Sequence, residues 1–174
     1  PPVIDRARAS ALRLLALDVD GVLTDGRLYY GNDGEELKAF NIKDGVGLKL
    51  LQQAGVAVAI ITGRRSQIVE RRATELGIAH VVQGREDKRA ALEELCASLD
   101  LALSQCAYMG DDLPDLGALR AAAIGLAPAD AVEAVAEAAD WQSRYPGGGG
   151  CVREACEQLL HAMDRREATE AAYR

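Results

Sequence analysis

An α/β fold follows from two observations on this sequence. Short apolar runs recur at residues 12–17, 56–61, 79–82, 106–109 and 123–127, and most are too uniformly apolar for strands with one face in water. Segments of helical period lie between them, opened by cap residues and often closed by glycine. Strand and helix alternating at this spacing predicts a Rossmann-like, doubly wound parallel sheet with helices on both faces.

Each element has a local reason. Leu12-Arg13-Leu14-Leu15-Ala16-Leu17 supplies the first buried strand, which runs straight into Asp18. Residues 26–41 interrupt the alternation. There, 27–30 and 37–40 flank Gly31-Asn32-Asp33-Gly34, a strong turn signal that predicts a small β-hairpin insertion. Asp44 is the expected cap of a helix carrying Val46, Leu48, Leu50 and Leu51, stopped by Gly55. The second strand ends at Thr62-Gly63-Arg64, and Ser66 caps a helix with Ile68, Val69, Ala73 and Leu76 on one face. A helix from about Asp87 presents Ala91, Leu92 and Leu95 after the third strand. The fourth strand ends at Gly110-Asp111-Asp112, and a helix with Leu116 and Leu119 leads to the fifth. Residues 129–138 predict a short helix, Trp141 a last short strand or loop, and the glycines from 147 a tail leading into a helix from Val152. No internal repeat or interdomain linker interrupts this order, so 1–174 is expected as one domain.

Composition bounds the function. The chain has 174 residues, enough for one domain with a substantial core. Its net charge of −7 argues against nucleic acid or an anionic membrane as the main partner. The apolar stretches are far too short to span a bilayer, and the N-terminus lacks a signal-peptide pattern, so a cytoplasmic protein is expected. Cys96, Cys106, Cys151 and Cys156 make no CxxC pair and have no histidines at zinc spacing. They read as small buried apolar residues.

The strand ends carry the chemistry. Parallel sheets gather ligands at the carboxyl ends of their strands. Here Asp18 and Asp20 follow the first strand, Thr62 the second, and Asp111, Asp112 and Asp115 the fourth, while Lys88 opens the helix after the third. Two carboxylates at i and i+2 are costly side by side unless a cation or a proton separates them. Mg²⁺ needs only a few oxygen ligands, which Asp18, Asp111 and a backbone carbonyl could supply. Thr62, the Gly63 amide and Lys88 suit a phosphoryl group beside it. Asp18 would attack phosphorus and Asp20 would manage the proton, first as acid and then as base.

Asp18-Val19-Asp20-Gly21-Val22-Leu23-Thr24-Asp25, Thr62-Gly63-Arg64, Lys88 and Gly110-Asp111-Asp112 with Asp115 resemble the four signature blocks of the haloacid dehalogenase superfamily of phosphatases. The resemblance implies Asp18 as nucleophile and Asp20 as acid/base, with Thr62 and Lys88 holding the phosphoryl group. Mg²⁺ would be bound by Asp18, the Asp20 carbonyl and Asp111, with Asp115 supporting the site. The hairpin, the stretch Phe40-Asn41-Ile42-Lys43-Asp44-Gly45-Val46-Gly47 and the ending Gly147-Gly148-Gly149-Gly150-Cys151-Val152-Arg153-Glu154 are similar to the narrower family of 3-deoxy-D-manno-octulosonate 8-phosphate phosphatases. That likeness implies a capless homotetramer with hairpins at its core, a glycine-rich tail reaching a neighbour's active site, and a step in lipopolysaccharide sugar synthesis. The family often has arginine where Lys43 stands and a basic residue at the place of Gly149. Lys43 and Arg64 are the candidates for the carboxylate of a sugar-acid phosphate substrate.

Only the hairpin and one helix fit between Asp20 and Thr62, and the gap from Lys88 to Asp111 is also too short for a separate lid, so no cap domain is expected. The exposed Leu28, Tyr29, Tyr30 and Phe40 of the hairpin predict burial at a subunit interface. Two other functions stay open at this point. One is a phosphatase for a nine-carbon keto-acid phosphate. The other is a receiver-type signalling module, although its phosphate-accepting aspartate should end the middle strand rather than the first.

Overall fold

Uniformly apolar strands are stable only where both faces of a sheet are covered. The structure, a computed structural model describing residues 3–174, covers both; Pro1 and Pro2 of the expected 1–174 domain lie outside the described residues. Strands β1 (Leu14–Leu17), β4 (Ala57–Ile61), β5 (His80–Val82), β6 (Cys106–Met109), β7 (Ile124–Ala127) and β8 (Trp141–Gln142) form one parallel sheet in the order β5-β4-β1-β6-β7-β8. Strands β2 (Tyr29–Tyr30) and β3 (Glu36–Leu37) pair antiparallel as the expected hairpin, with only two residues on each side.

The side-chain alternation of the strands divides the core in two. Leu15, Leu17, Val58, Ile60, Met109 and Leu126 face helices α1 (Arg6–Ser10), α2 (Ile42–Gln53), α3 (Gln67–Leu76) and α7 (Cys151–Ala162). Leu14, Ala16, Ala59, Ile61, Cys106 and Tyr108 face α4 (Lys88–Ser98), α5 (Leu116–Ala121) and α6 (Glu133–Ala138). Full burial of Leu48 and Leu51 on α2 and of Leu159 and Leu160 on α7 contributes about 2 kcal/mol for each side chain. Gly47 permits the close approach of these two helices, since a Cβ there would stand 3.2 Å from the Arg153 Cα.

The chain reverses its direction of winding at the centre of the sheet. From β1 it moves through β4 to the edge at β5, then returns to β6 on the other side of β1 and continues outward. The β1/β6 boundary is thus the switch point where helices diverge and leave a crevice at the strand ends.

Several elements depart from expectation for local reasons. Asn41, not Asp44, caps α2 by accepting from the Lys43 amide at 2.9 Å. Asp44 is buried in the first turn and accepts from the Arg153 amide at 2.9 Å, so it caps α7 across the helix pair. Asp87 makes no side-chain cap bond, because its carboxylate is held by Arg85 at 2.7 Å. Helix α6 covers only Glu133–Ala138 rather than 129–138. Two short helices escaped the pattern: α1, capped by Asp5, and α8 (Arg166–Ala171). The glycines at 147–150 form a turn, Gly147 buried and Gly149 exposed, and the last long helix follows them into the core, as expected. All four cysteines are free and buried, as expected. Among the described residues no helix is long and apolar enough to cross a membrane.

Candidate active site

The site begins where β1 stops. Asp18 is the first residue past the strand, and its Oδ1 accepts from the Val19 amide at 2.7 Å. The chain then closes a tight turn in which the amides of Val22, Leu23 and Thr24 all donate to the Val19 carbonyl. Gly21 takes a φ of +89°, open mainly to glycine, and a Cβ at that position would lie 1.9 Å from Asp111 Oδ2. The absent side chain is what lets Asp111, from the loop after the neighbouring strand β6, approach Asp18.

Lys88 enters from the other side. Its side chain is 5% exposed, with Nζ 3.0 Å from Asp18 Oδ2 and 2.8 Å from Asp115 Oδ1. Burial alone would lower its pKa, but the charges and hydrogen bonds of Asp18 and Asp115 outweigh that and hold it as a cation. Asp115 is saturated: Oδ1 also accepts from the Tyr108 hydroxyl at 2.6 Å, and Oδ2 accepts from the amides of Asp111 and Asp112 at 3.0 and 3.2 Å. It therefore fixes Lys88 and the Asp111 loop, and it has little capacity left to bind anything else.

Asp18 and Asp111 are different. Burial first, then repulsion from neighbouring carboxylates, raises both well above the ordinary carboxylate range, and Lys88 only partly offsets this. Ligand oxygens of Asp18, Asp111 and Asp115 lie within 4.8 Å of one another. The Asp111 side chain accepts no hydrogen bond among the described residues. Hard oxygen donors crowded together with excess negative charge fit a divalent cation such as Mg²⁺, which would remove the repulsion.

A cavity of about 270 Å³ opens over this cluster. It is lined by Asp18, Asp20, Thr62, Gly63, Arg64, Lys88 and Asp111, among others. Thr62 is held in place because its amide donates to the Val82 carbonyl and its own carbonyl accepts from Arg85. Arg64 projects to the mouth, where Nη2 donates to the Tyr30 hydroxyl at 3.1 Å and stands 3.6 Å from Glu36. Of the residues expected here, one is elsewhere. Lys43 lines a separate cavity of about 300 Å³ with Arg144, Arg153 and Arg166, because the Asn41 cap starts α2 in a direction that sets its first turn beside α7. Within one chain it does not join Asp18.

Sequence reasoning missed Lys38 and Tyr108. Lys38 Nζ lies 2.6 Å from Asp20 Oδ1 and 3.2 Å from Glu36 Oε1, with its side chain 1% exposed. A signal did exist: Glu36 and Lys38 are two residues apart in extended chain, which places them on one face. Tyr108 gave none, since a buried aromatic in a strand ordinarily serves the core.

Fold and site together define a hydrolase of the haloacid dehalogenase type, with an acidic pair at the end of the first strand and a buried lysine beside it. A family model for haloacid dehalogenase-like hydrolases matches residues 40–123, a stretch that begins after Asp18 and Asp20. The 3-deoxy-D-manno-octulosonate 8-phosphate phosphatase of Yersinia pestis is 47% identical over 168 residues, covering 95% of this chain and 90% of that protein. A crystal structure of the same phosphatase from Moraxella catarrhalis, in complex with magnesium ion, phosphate ion and KDO, matches with a TM-score of 0.95 and 46% identity, covering 97% of each chain. The cobalt-bound phosphatase from Haemophilus influenzae matches with a TM-score of 0.91 and 37% identity over 95% of this chain and 97% of that one. The chain belongs to the haloacid dehalogenase-like hydrolases and, within them, to the family of these 3-deoxy-D-manno-octulosonate 8-phosphate phosphatases.

Proposed function

We propose that this protein is a Mg²⁺-dependent phosphatase that hydrolyses 3-deoxy-D-manno-octulosonate 8-phosphate to the free sugar acid and phosphate. The observation that carries this reading is the single cavity at the β1/β6 switch point holding Asp18, Asp20, Thr62, Lys88 and Asp111. The relatives of that activity, similar over nearly the whole chain, supply the substrate.

The roles follow from position. An oxygen of Asp18 attacks phosphorus, forming an aspartyl-phosphate as the bond to the sugar oxygen breaks, and Asp20 gives that oxygen its proton. A water then attacks phosphorus, Asp20 takes the proton, and the bond to Asp18 breaks to release phosphate. Thr62, the Gly63 amide and Lys88 bind and orient the phosphoryl oxygens. Asp18, Asp111 and the Asp20 carbonyl would hold Mg²⁺, which supplies charge neutralisation for the phosphoryl group. Arg64, at the mouth, is the nearer candidate for the sugar carboxylate. Lys43 could reach a substrate only in an assembled oligomer.

The same reading places the protein in the cytoplasm as a homotetramer of single-domain, capless subunits serving lipopolysaccharide sugar synthesis. Leu28, Tyr29 and Tyr30 of the hairpin, exposed in the isolated chain as is Leu37, support an interface there; Phe40, expected with them, instead packs against the core with Arg72 over its ring. Gly147 and Gly148 lie against Gly21 and Thr24 of their own chain.

A panel of sugar phosphates, assayed with and without a chelator, tests the proposal. The eight-carbon keto-acid phosphate should be hydrolysed best, with activity lost on chelation and abolished by Asp18→Asn. Preference for a nine-carbon keto-acid phosphate would replace the substrate but keep the reaction. Persistent labelling by acetyl phosphate without turnover would point to a receiver and sink it.

A further inference from the structure

The proposed acid/base, Asp20, is held by a residue that no part of the phosphoryl chemistry accounts for. Lys38 lies just past β3, in the returning arm of the hairpin, and brings its ammonium to 2.6 Å from Asp20 Oδ1. Its side chain is 1% exposed, although Leu37 and Ala39 on either side are exposed. Burying an ammonium is costly unless it is paired, so this placement requires the two carboxylates it meets, Asp20 and Glu36. Asp20 accepts no other side-chain hydrogen bond among the described residues, which leaves Lys38 as the group that sets the direction of its carboxylate. Glu36 is fixed in turn, because its hairpin partner Tyr30 is bonded to Arg64 and Arg64 stands 3.6 Å from Glu36.

We propose that Lys38 is a positioning residue for Asp20, braced by Glu36, so that the hairpin is part of the machinery delivering the proton to the leaving oxygen. This rests on the acid/base role proposed for Asp20. A proton donor matters most for a poor leaving group. A sugar alkoxide must be protonated as it departs, whereas a nitrophenolate leaves readily without help. Misdirecting a donor by about 1 Å costs on the order of 10²-fold in rate.

The test compares kcat/KM for 3-deoxy-D-manno-octulosonate 8-phosphate and for p-nitrophenyl phosphate, since kcat/KM covers only the steps through departure of the alcohol. In Lys38→Met the sugar phosphate should lose about 10²-fold, chiefly in kcat, and the aryl phosphate roughly threefold or less. Lys38→Arg should recover part of the loss. Glu36→Gln, which leaves Lys38 in place, should show the same selectivity at about a tenth of the size, and it serves if the methionine variant does not fold. Equal losses with both esters would mean that Lys38 only anchors the hairpin. A raised KM with kcat unchanged would make it a substrate ligand, and no change would make it irrelevant. Each of those three results overturns the inference while leaving the phosphatase reading intact. A wild-type protein inert toward both esters would instead remove that reading and this inference with it.

Discussion

The Lys88 ammonium and the Asp18 carboxylate meet at 3.0 Å with 5% and 9% of their side chains exposed. Among the described residues, Lys88 is the only cation paired with a cluster that also holds Asp111 and Asp115.

Removing that cation should destabilise the fold as well as end activity. Breaking a buried pair by deleting one partner leaves an unpaired charge at a cost of about 3–5 kcal/mol. Lys88→Met should therefore lose roughly that much stability near pH 8 in denaturant unfolding. The loss should shrink near pH 5, where Asp18 and Asp111 can take up protons instead. A loss independent of pH would show that packing, not charge, is responsible.

The raised carboxylates set the pH dependence of the metal-free protein. Their folded pKa lies above the unfolded value, so between the two the folded state binds more protons and stability falls as pH rises. Asp44, pushed up to about 6 chiefly by burial, acts in the same direction. Melting temperature without metal should decline from about pH 5 to about pH 8, and added Mg²⁺ should restore more at the upper end. Asp111→Asn should flatten the decline and abolish most of the Mg²⁺ effect. A melting temperature that climbs with pH in chelator would contradict the cluster's electrostatics.

The glycine turn ahead of α7 should matter to catalysis. A Cβ on Gly147 would stand 2.0 Å from the Gly21 carbonyl oxygen and 2.7 Å from that of Thr24. Neither backbone can yield without moving the Asp18–Asp20 turn. Gly147→Ala should cut kcat by about 10-fold or more, with a smaller fall in thermal stability. Gly34→Ala, where a Cβ meets nothing within 4 Å but φ is +87°, is the control for backbone strain alone. Equal effects of the two changes on kcat would refute a specific contact.

Much of the site was legible because its residues sit at strand ends, and strand ends can be read from apolar runs. Asp18, Thr62 and Asp111 each follow such a run within two residues, and a parallel sheet brings those ends together whatever the loops do. Asp44 shows the opposite case. Its place before an apolar helical stretch predicted a cap for its own helix, yet it caps α7, because the α2–α7 pairing buries it beside the Arg153 amide. Local pattern cannot anticipate a partner 109 residues away.

The order of residues alone determined the alternation of strand and helix, the turn after β1 and the set of groups at the sheet's carboxyl edge, since each depends on neighbours a few positions away. Only the tertiary structure decided that β6 lies beside β1, that Lys43 faces another cavity, and that Lys38 folds back onto Asp20. Those outcomes turn on which surfaces cover one another and where a buried charge finds its counter-charge. Such pairings join distant stretches of chain and exist only once the sheet and its two helical layers have closed.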